Sequence, residues 1–180
     1  MSETRANTKT GDSHVAIATW IFLLDRKGIR PQDATLQGAC DALAQGGQDA
    51  DWDALGGALV DAVRARLGPS DGEEAVLETL RAIYGAGHVA SDAGASRDER
   101  LAHARSYEFR VGLPWLARLV DRFPEGRILP HWVMVERVTD TVTCMDPYPW
   151  DDVDEEYRLP LTDFMVKWEL AGNAMIRWTG

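Results

Sequence analysis

Basic residues are scarce in this chain: Lys and Arg number 19 against 29 Asp and Glu, a formal net charge of −10. Binding a phosphate backbone requires clustered cations, so the deficit argues against nucleic acid as a partner. The same electrostatics argue against an anionic membrane surface. Cysteine is nearly absent. Cys40 and Cys144 stand far apart with no metal-type spacing, and the polar stretch Met1–Asp12 has no apolar core of a secretory signal. Reduced thiols in a cytoplasmic protein are the expectation. Long apolar runs are missing too, the longest being Val15–Leu24, which is too short to span a bilayer. Gly85-Ala86-Gly87 lacks the third glycine and the preceding strand of a dinucleotide fingerprint, and no cofactor is expected.

What is present suits one globular domain over 1–180, large enough to bury a core without staples. It divides into a polar N-terminal segment (1–12), a mainly helical half (13–105) and a sheet-containing half (106–180). Ser13 is a good N-cap for a helix over His14–Lys27, which Gly28 can end and which is apolar almost all round. Further helices are expected over Thr35–Gln45, Trp52–Leu67 and Gly72–Tyr84, then a loop over Gly85–Ala95 and a helix from Ser96 to about Arg105. Tyr107–Val111 reads as a strand and Leu113–Phe123 as a short amphipathic helix. Trp132–Val138 and Thr141–Asp146 read as a hairpin around Thr139–Asp140. A short strand at Leu159–Leu161, a helix over Thr162–Leu170 and a strand over Asn173–Trp178 close the chain. Helices first and a small antiparallel sheet later is an α+β arrangement.

The hairpin holds the chemistry. With a two-residue loop, Val138 pairs with Thr141 and Asp146 falls opposite Val133. His131, two residues from Val133 on the same face, then becomes a diagonal neighbour of Asp146, close enough for a carboxylate to orient an imidazole. An odd loop or a bulge breaks that parity. Pro147 ends the second strand just after the carboxylate.

Leu129-Pro-His-Trp-Val-Met-Val-Glu-Arg-Val138, followed by Asp140-Thr-Val-Thr-Cys-Met-Asp-Pro-Tyr148, resembles the His and Asp segments of C39-like peptidases, a papain-like family. Arg158-Leu-Pro-Leu-Thr-Asp-Phe164 and the final apolar strand are similar to that family's C-terminal end. The resemblance covers about the last 50 residues. It implies a papain-like fold in which an N-terminal helical half packs on the sheet. It also implies a nucleophile at the N-terminus of an early helix, ahead of the His and Asp.

At that early helix the family usually has Gln, then Asp-Cys-Gly. This chain has Asn7, then Asp12-Ser13-His14. The resemblance therefore puts Ser13 at the nucleophile and Asn7 at the oxyanion amide, with His14 in place of a small residue. A helix N-terminus stabilises a thiolate, but a serine hydroxyl also needs a base in contact. Three readings stay open for Ser13: a working nucleophile, a drifted residue that caps the helix, or an introduced Cys-to-Ser change. Gly11-Asp12-Ser13 is also similar to the GDS motif of another serine hydrolase class. That class carries Asp before His, the reverse of the order here.

Function is accordingly expected to be acyl transfer (hydrolysis, transfer or cyclisation) on a peptide-like or carrier-bound amide or thioester. Ser13 attacks, His131 serves as base and then acid, Asp146 orients it, and Asn7 assists the oxyanion. The alternatives are a catalytically silent domain that binds a peptide or small molecule in the old cleft, and non-covalent acid–base catalysis by His131 and Asp146. His14, Trp132 and Trp150 are candidate substrate contacts. The acidic run Asp151, Asp152, Asp154, Glu155 and Glu156 reads as a solvated loop, or as a lip for cationic substrates. Cys40 and Cys144 read as packing residues, and no metal ligand set is expected.

Overall fold

The computed structural model describes residues 13–46, 52–122, 126, 128–145 and 156–180. Among them the chain runs α1 (Ser13–Arg26), α2 (Ala34–Gln45), α3 (Trp52–Leu67), α4 (Glu73–Tyr84), β1 (Val89–Ser91), α5 (Arg97–Val111), β2 (Trp115–Arg122), β3 (Ile128–Val138), β4 (Thr141–Met145), β5 (Glu156–Pro160), α6 (Leu161–Leu170) and β6 (Met175–Trp178). The strands form one antiparallel sheet in the order β1-β6-β2-β3-β4-β5. This is the α+β arrangement that the sequence leads one to expect. No described helix is long and apolar enough to cross a membrane.

Helix ends follow local chemistry. Gly28, at φ +87, donates its N–H to the Asp25 carbonyl (2.9 Å), and Ile29 N donates to the Leu24 carbonyl (2.9 Å). That is a Schellman closure, which only a residue tolerant of positive φ makes cheaply. Asp33 caps α2, its carboxylate accepting from Thr35 N (2.9 Å) and Leu36 N (3.0 Å), while Arg66 Nε of α3 donates to its other oxygen (2.8 Å). At the start of α5, Ser96 Oγ accepts from Glu99 N and the Glu99 carboxylate accepts from Ser96 N, a reciprocal capping box.

Four expectations are corrected. Tyr107–Val111 is not a strand: α5 continues through it and ends before Gly112, whose φ is +63. Leu113–Phe123 is not a helix, because Trp115–Arg122 is a strand. It lies between β6 and β3 with helices against both faces, so apolar residues recur without alternation and imitate a helical stripe. The loop over Gly85–Ala95 contains β1, a short edge strand on β6. The hairpin loop is odd, with Val138 paired to Val142.

The two faces of the sheet carry different helices. Trp115 packs against Phe164 and Trp168 of α6 (ring centroids 6.3 and 5.7 Å). By alternation Trp115, Leu119, Asp121, His131 and Val133 share that face. On the other face Trp178 of β6 meets Tyr84 of α4, which in turn meets Trp20 of α1. Trp20 Nε1 donates to the Pro114 carbonyl (2.9 Å). The helical half therefore sits on the face of Leu116, Arg118, Trp132 and Met134, and α6 covers the reverse.

Asp33 ties two helices with one carboxylate, hydrogen bonds from Arg66 and backbone N–H groups holding it below the usual carboxylate pKa. Replacing it with Ala is expected to cost about 1 to 2 kcal/mol. Asp33→Asn, which keeps an accepting oxygen for the cap, should cost less. Urea denaturation of the two variants checks the order, and equal losses would mean that the cap contributes nothing.

Candidate functional site

The site is built on β3. Near the turn, Val138 pairs with Val142 and Arg137 with Thr143; a bulge follows, after which Val135 pairs with Cys144 and Met134 with Met145. The odd loop and the bulge are opposite departures from the simple hairpin and they cancel. Beyond Glu136 the register is the one that a two-residue loop gives. Asp146, the next residue of that register, lies outside the described residues, as do Asn7 and Trp150.

His131 is described, and its partner is one that the sequence reading missed. Its Nε2 donates to Asp121 Oδ2 at 3.0 Å. Asp121 is on β2, two residues beyond Leu119, the residue directly opposite His131. This is the same diagonal cross-strand relation sought for Asp146, realised on the other neighbouring strand. Lys167 of α6 donates to the second oxygen, Asp121 Oδ1. One carboxylate thus bridges an imidazole and an ammonium. The three side chains are mostly withdrawn from solvent, at 12% exposure for His131, 24% for Asp121 and 29% for Lys167. Burial alone would push the Asp121 carboxyl up, but the hydrogen bonds and charges of His131 and Lys167 outweigh it and hold the pKa below its ordinary value. With the carboxylate accepting at Nε2, that nitrogen carries a proton.

The remaining candidates are placed as follows. Ser13 opens α1, and its side chain is outside what the structure describes. The helix that it opens packs on one face of the sheet and His131 points to the other, so the described geometry does not bring the imidazole to the α1 side. His14 Nε2 donates to the Gly68 carbonyl (3.0 Å), tying the start of α1 to the end of α3. Trp132 does not line a groove: it is fully buried, and its Nε1 donates to the Asp71 carbonyl (2.8 Å) beside the Arg118–Asp71 ion pair. A fully buried indole satisfied at its only polar atom is a core residue. His14 and His131 do not converge, and among the described residues no cluster of three or more His, Cys, Asp or Glu could hold a metal. Cys40 and Cys144 are both buried and free, and burial pushes the Cys40 thiol up to about 12.

Asp121 was missed because its stretch reads as a helix, which hides a cross-strand relation. A polar Asp closing an apolar run was the one signal, and only the strand assignment gives it meaning. A second feature carries no familiar motif. A cleft of about 510 Å³ opens among Gly112, Leu113, Pro114, Glu136, Arg137, Thr143 and Arg158, at the bulge and beyond the start of β2.

No family model matches this chain, and no curated protein matches it significantly. Among solved structures it is similar to a Bacillus anthracis protein provisionally described as a C39-like peptidase. The match has 14% identity and a TM-score of 0.45, and it covers 61% of this chain and 59% of that one. The chain thus spans about three-fifths of the length of the structure it matches.

Two outcomes follow from this chemistry. Asp121 has a lowered folded pKa, so its contribution to stability is present above the unfolded value of about 4 and is lost as pH falls through the folded one. Asp121→Asn should lower stability at neutral pH by about 1.5 to 3 kcal/mol and remove that part of the acid loss. Superimposable pH–stability curves for the variant and the parent would contradict the bridge. Neither Cys40 nor Cys144 should react with a thiol reagent at neutral pH until the protein is unfolded, and labelling of either in the native state by intact mass would count against its burial.

Proposed function

We propose that this chain is a C39-like domain that binds a peptide-like or small-molecule ligand rather than a serine-type acyl transferase. The C39-like assignment rests on the His and Asp segments of the sequence, together with a hairpin whose register beyond the bulge is the one those segments require. One observation favours binding over acyl transfer. His131, the only described residue among the base and acid groups of the expected triad, donates from Nε2 to Asp121 on the α6 side of the sheet, away from the helix that Ser13 opens. The helix dipole alone does not ionise a serine hydroxyl, which needs a base in contact to act as a nucleophile.

A second reading has its own support. A carboxylate-oriented imidazole is the unit of general acid–base catalysis, and Asp121 fixes both the tautomer and the ring orientation of His131. In this reading His131 takes or gives a proton without a covalent intermediate, and Ser13 is dispensable.

Alkylation of a Ser13→Cys variant with iodoacetamide, from about pH 5 to about pH 9, separates the possibilities. Peptide mapping distinguishes the new thiol from Cys40 and Cys144, with His131→Ala as the control. The binding reading expects labelling with the profile of an ordinary thiol, pKa about 8.5, unchanged by His131→Ala. Rapid labelling at acidic pH that depends on His131 would show an activated nucleophile and overturn it.

A further inference from the structure

The turn between α1 and α2 packs on the end of α4. Gln32 N donates to the Ile83 carbonyl (2.8 Å) and Gln32 Nε2 to the Tyr84 carbonyl (3.3 Å). From the same turn Arg30 donates to both oxygens of Asp41 (2.9 and 3.1 Å), the residue after Cys40, and its Nη1 lies 3.4 Å from Asp25 Oδ1. Three buried side chains from three helices are gathered round this turn: Asp25 of α1, Cys40 of α2 and Tyr84 of α4. Two of them carry an unanswered polar atom. Asp25 Oδ1 and the Tyr84 hydroxyl are buried and neither has a hydrogen-bond partner, Arg30 reaching the carboxylate as an ion pair only. A polar atom in that state is costly, and native proteins seldom leave one. The Tyr84 ring is held by edge contacts with Trp20 (centroids 6.4 Å) and Trp178 (5.5 Å), so its hydroxyl has a fixed place. Burial, and then the Cys40 and Asp25 groups beside it, push that hydroxyl's pKa up, so it keeps its proton as a donor.

We propose that this niche holds one internal water molecule, which accepts from the Tyr84 hydroxyl, donates to Asp25 Oδ1 and has Cys40 Sγ as a weak third partner. Internal waters occur where two to four protein groups converge on a polar site closed to solvent. An oxygen that both accepts and donates is what a hydroxyl donor and a carboxylate acceptor require between them. An anion does not suit the niche, because it would meet two carboxylates, Asp25 and Asp41, against the one guanidinium of Arg30. The water ties α1, α2 and α4 at one point, through atoms that do not bond one another directly. The site lies in the helical half and is independent of the ligand reading given above.

The test compares the full chain with Tyr84→Phe, which keeps the ring and its two aromatic contacts and removes only the hydroxyl. Tyr107→Phe is the control: Tyr107 is also buried, but its hydroxyl accepts directly from Trp178 N (3.3 Å). Relaxation dispersion of ¹⁷O counts long-lived waters, and guanidinium unfolding reads stability. Tyr84→Phe should lose one long-lived water and raise the unfolding equilibrium constant about fivefold or more. Tyr107→Phe should also raise that constant while the water count stays the same. An unchanged count in Tyr84→Phe would overturn the proposal, and with lowered stability it would mean that Tyr84 bonds Asp25 directly. A Tyr84→Phe variant as stable as the parent, or more so, would overturn it too, since removing a hydroxyl that bonds nothing carries no penalty. Equal loss of a water from both variants would show general loosening and would likewise count against the site.

Discussion

The ladder between β2 and β3 runs unbroken from Trp115 opposite Val135 to Arg122 opposite Ile128, and nearly every feature of the molecule is positioned by it. It places Trp115 and Leu119 under α6, and Leu116, Trp132 and Met134 under the helical half. Both layers of the core therefore meet on one pair of strands. Because side chains alternate strictly along a strand, a slip of one residue would exchange the two layers and put Arg118 and Asp121 among the aromatic rings. The cost of burying those charges unpaired makes the register close to obligatory. It also decides that His131 meets Asp121, since the imidazole has no choice of face once Trp132 is committed to the other.

The parts of the fold that were legible in the sequence are those governed by local chemistry. Gly28 and Ser96 mark a helix end and a helix start within a few residues, and α2, α3 and α4 match the expected helical stretches to within one residue. The parts that were not legible are those governed by tertiary cover. β2 is buried from both sides, and so it lost the alternation by which a strand is read. α5 runs on through aromatic and β-branched residues because it meets no terminator before Gly112. β1 is three residues long and exists only through its pairing with β6. At the candidate site His131 was singled out as the residue just before an expected strand, whereas β3 begins at Ile128 and His131 lies within it. Its partner was not, because a diagonal neighbour can be named only when both strands are known.

The bridge of Asp121 between His131 and Lys167 has a character of its own. One carboxylate is shared, Oδ2 taking the imidazole of β3 and Oδ1 the ammonium of α6, so neither partner has Asp121 to itself. An arrangement of this kind links a strand pair to α6 as well as orienting a ring. Mechanically the three groups hold α6 against β2 and β3, two central strands of the sheet.

The bulge at Glu136 carries a consequence for how this hairpin can vary. Val135 opposite Cys144 and Arg137 opposite Thr143 flank one unpaired residue, so removing Glu136 alone would restore plain alternation and keep each of these pairs. Removing one turn residue would likewise leave Val138 opposite Val142, across a two-residue loop. Length can therefore change at either place without moving Cys144 or Arg137 to the other face, and what the bulge adds is local: two consecutive outward side chains and a stronger twist in β3.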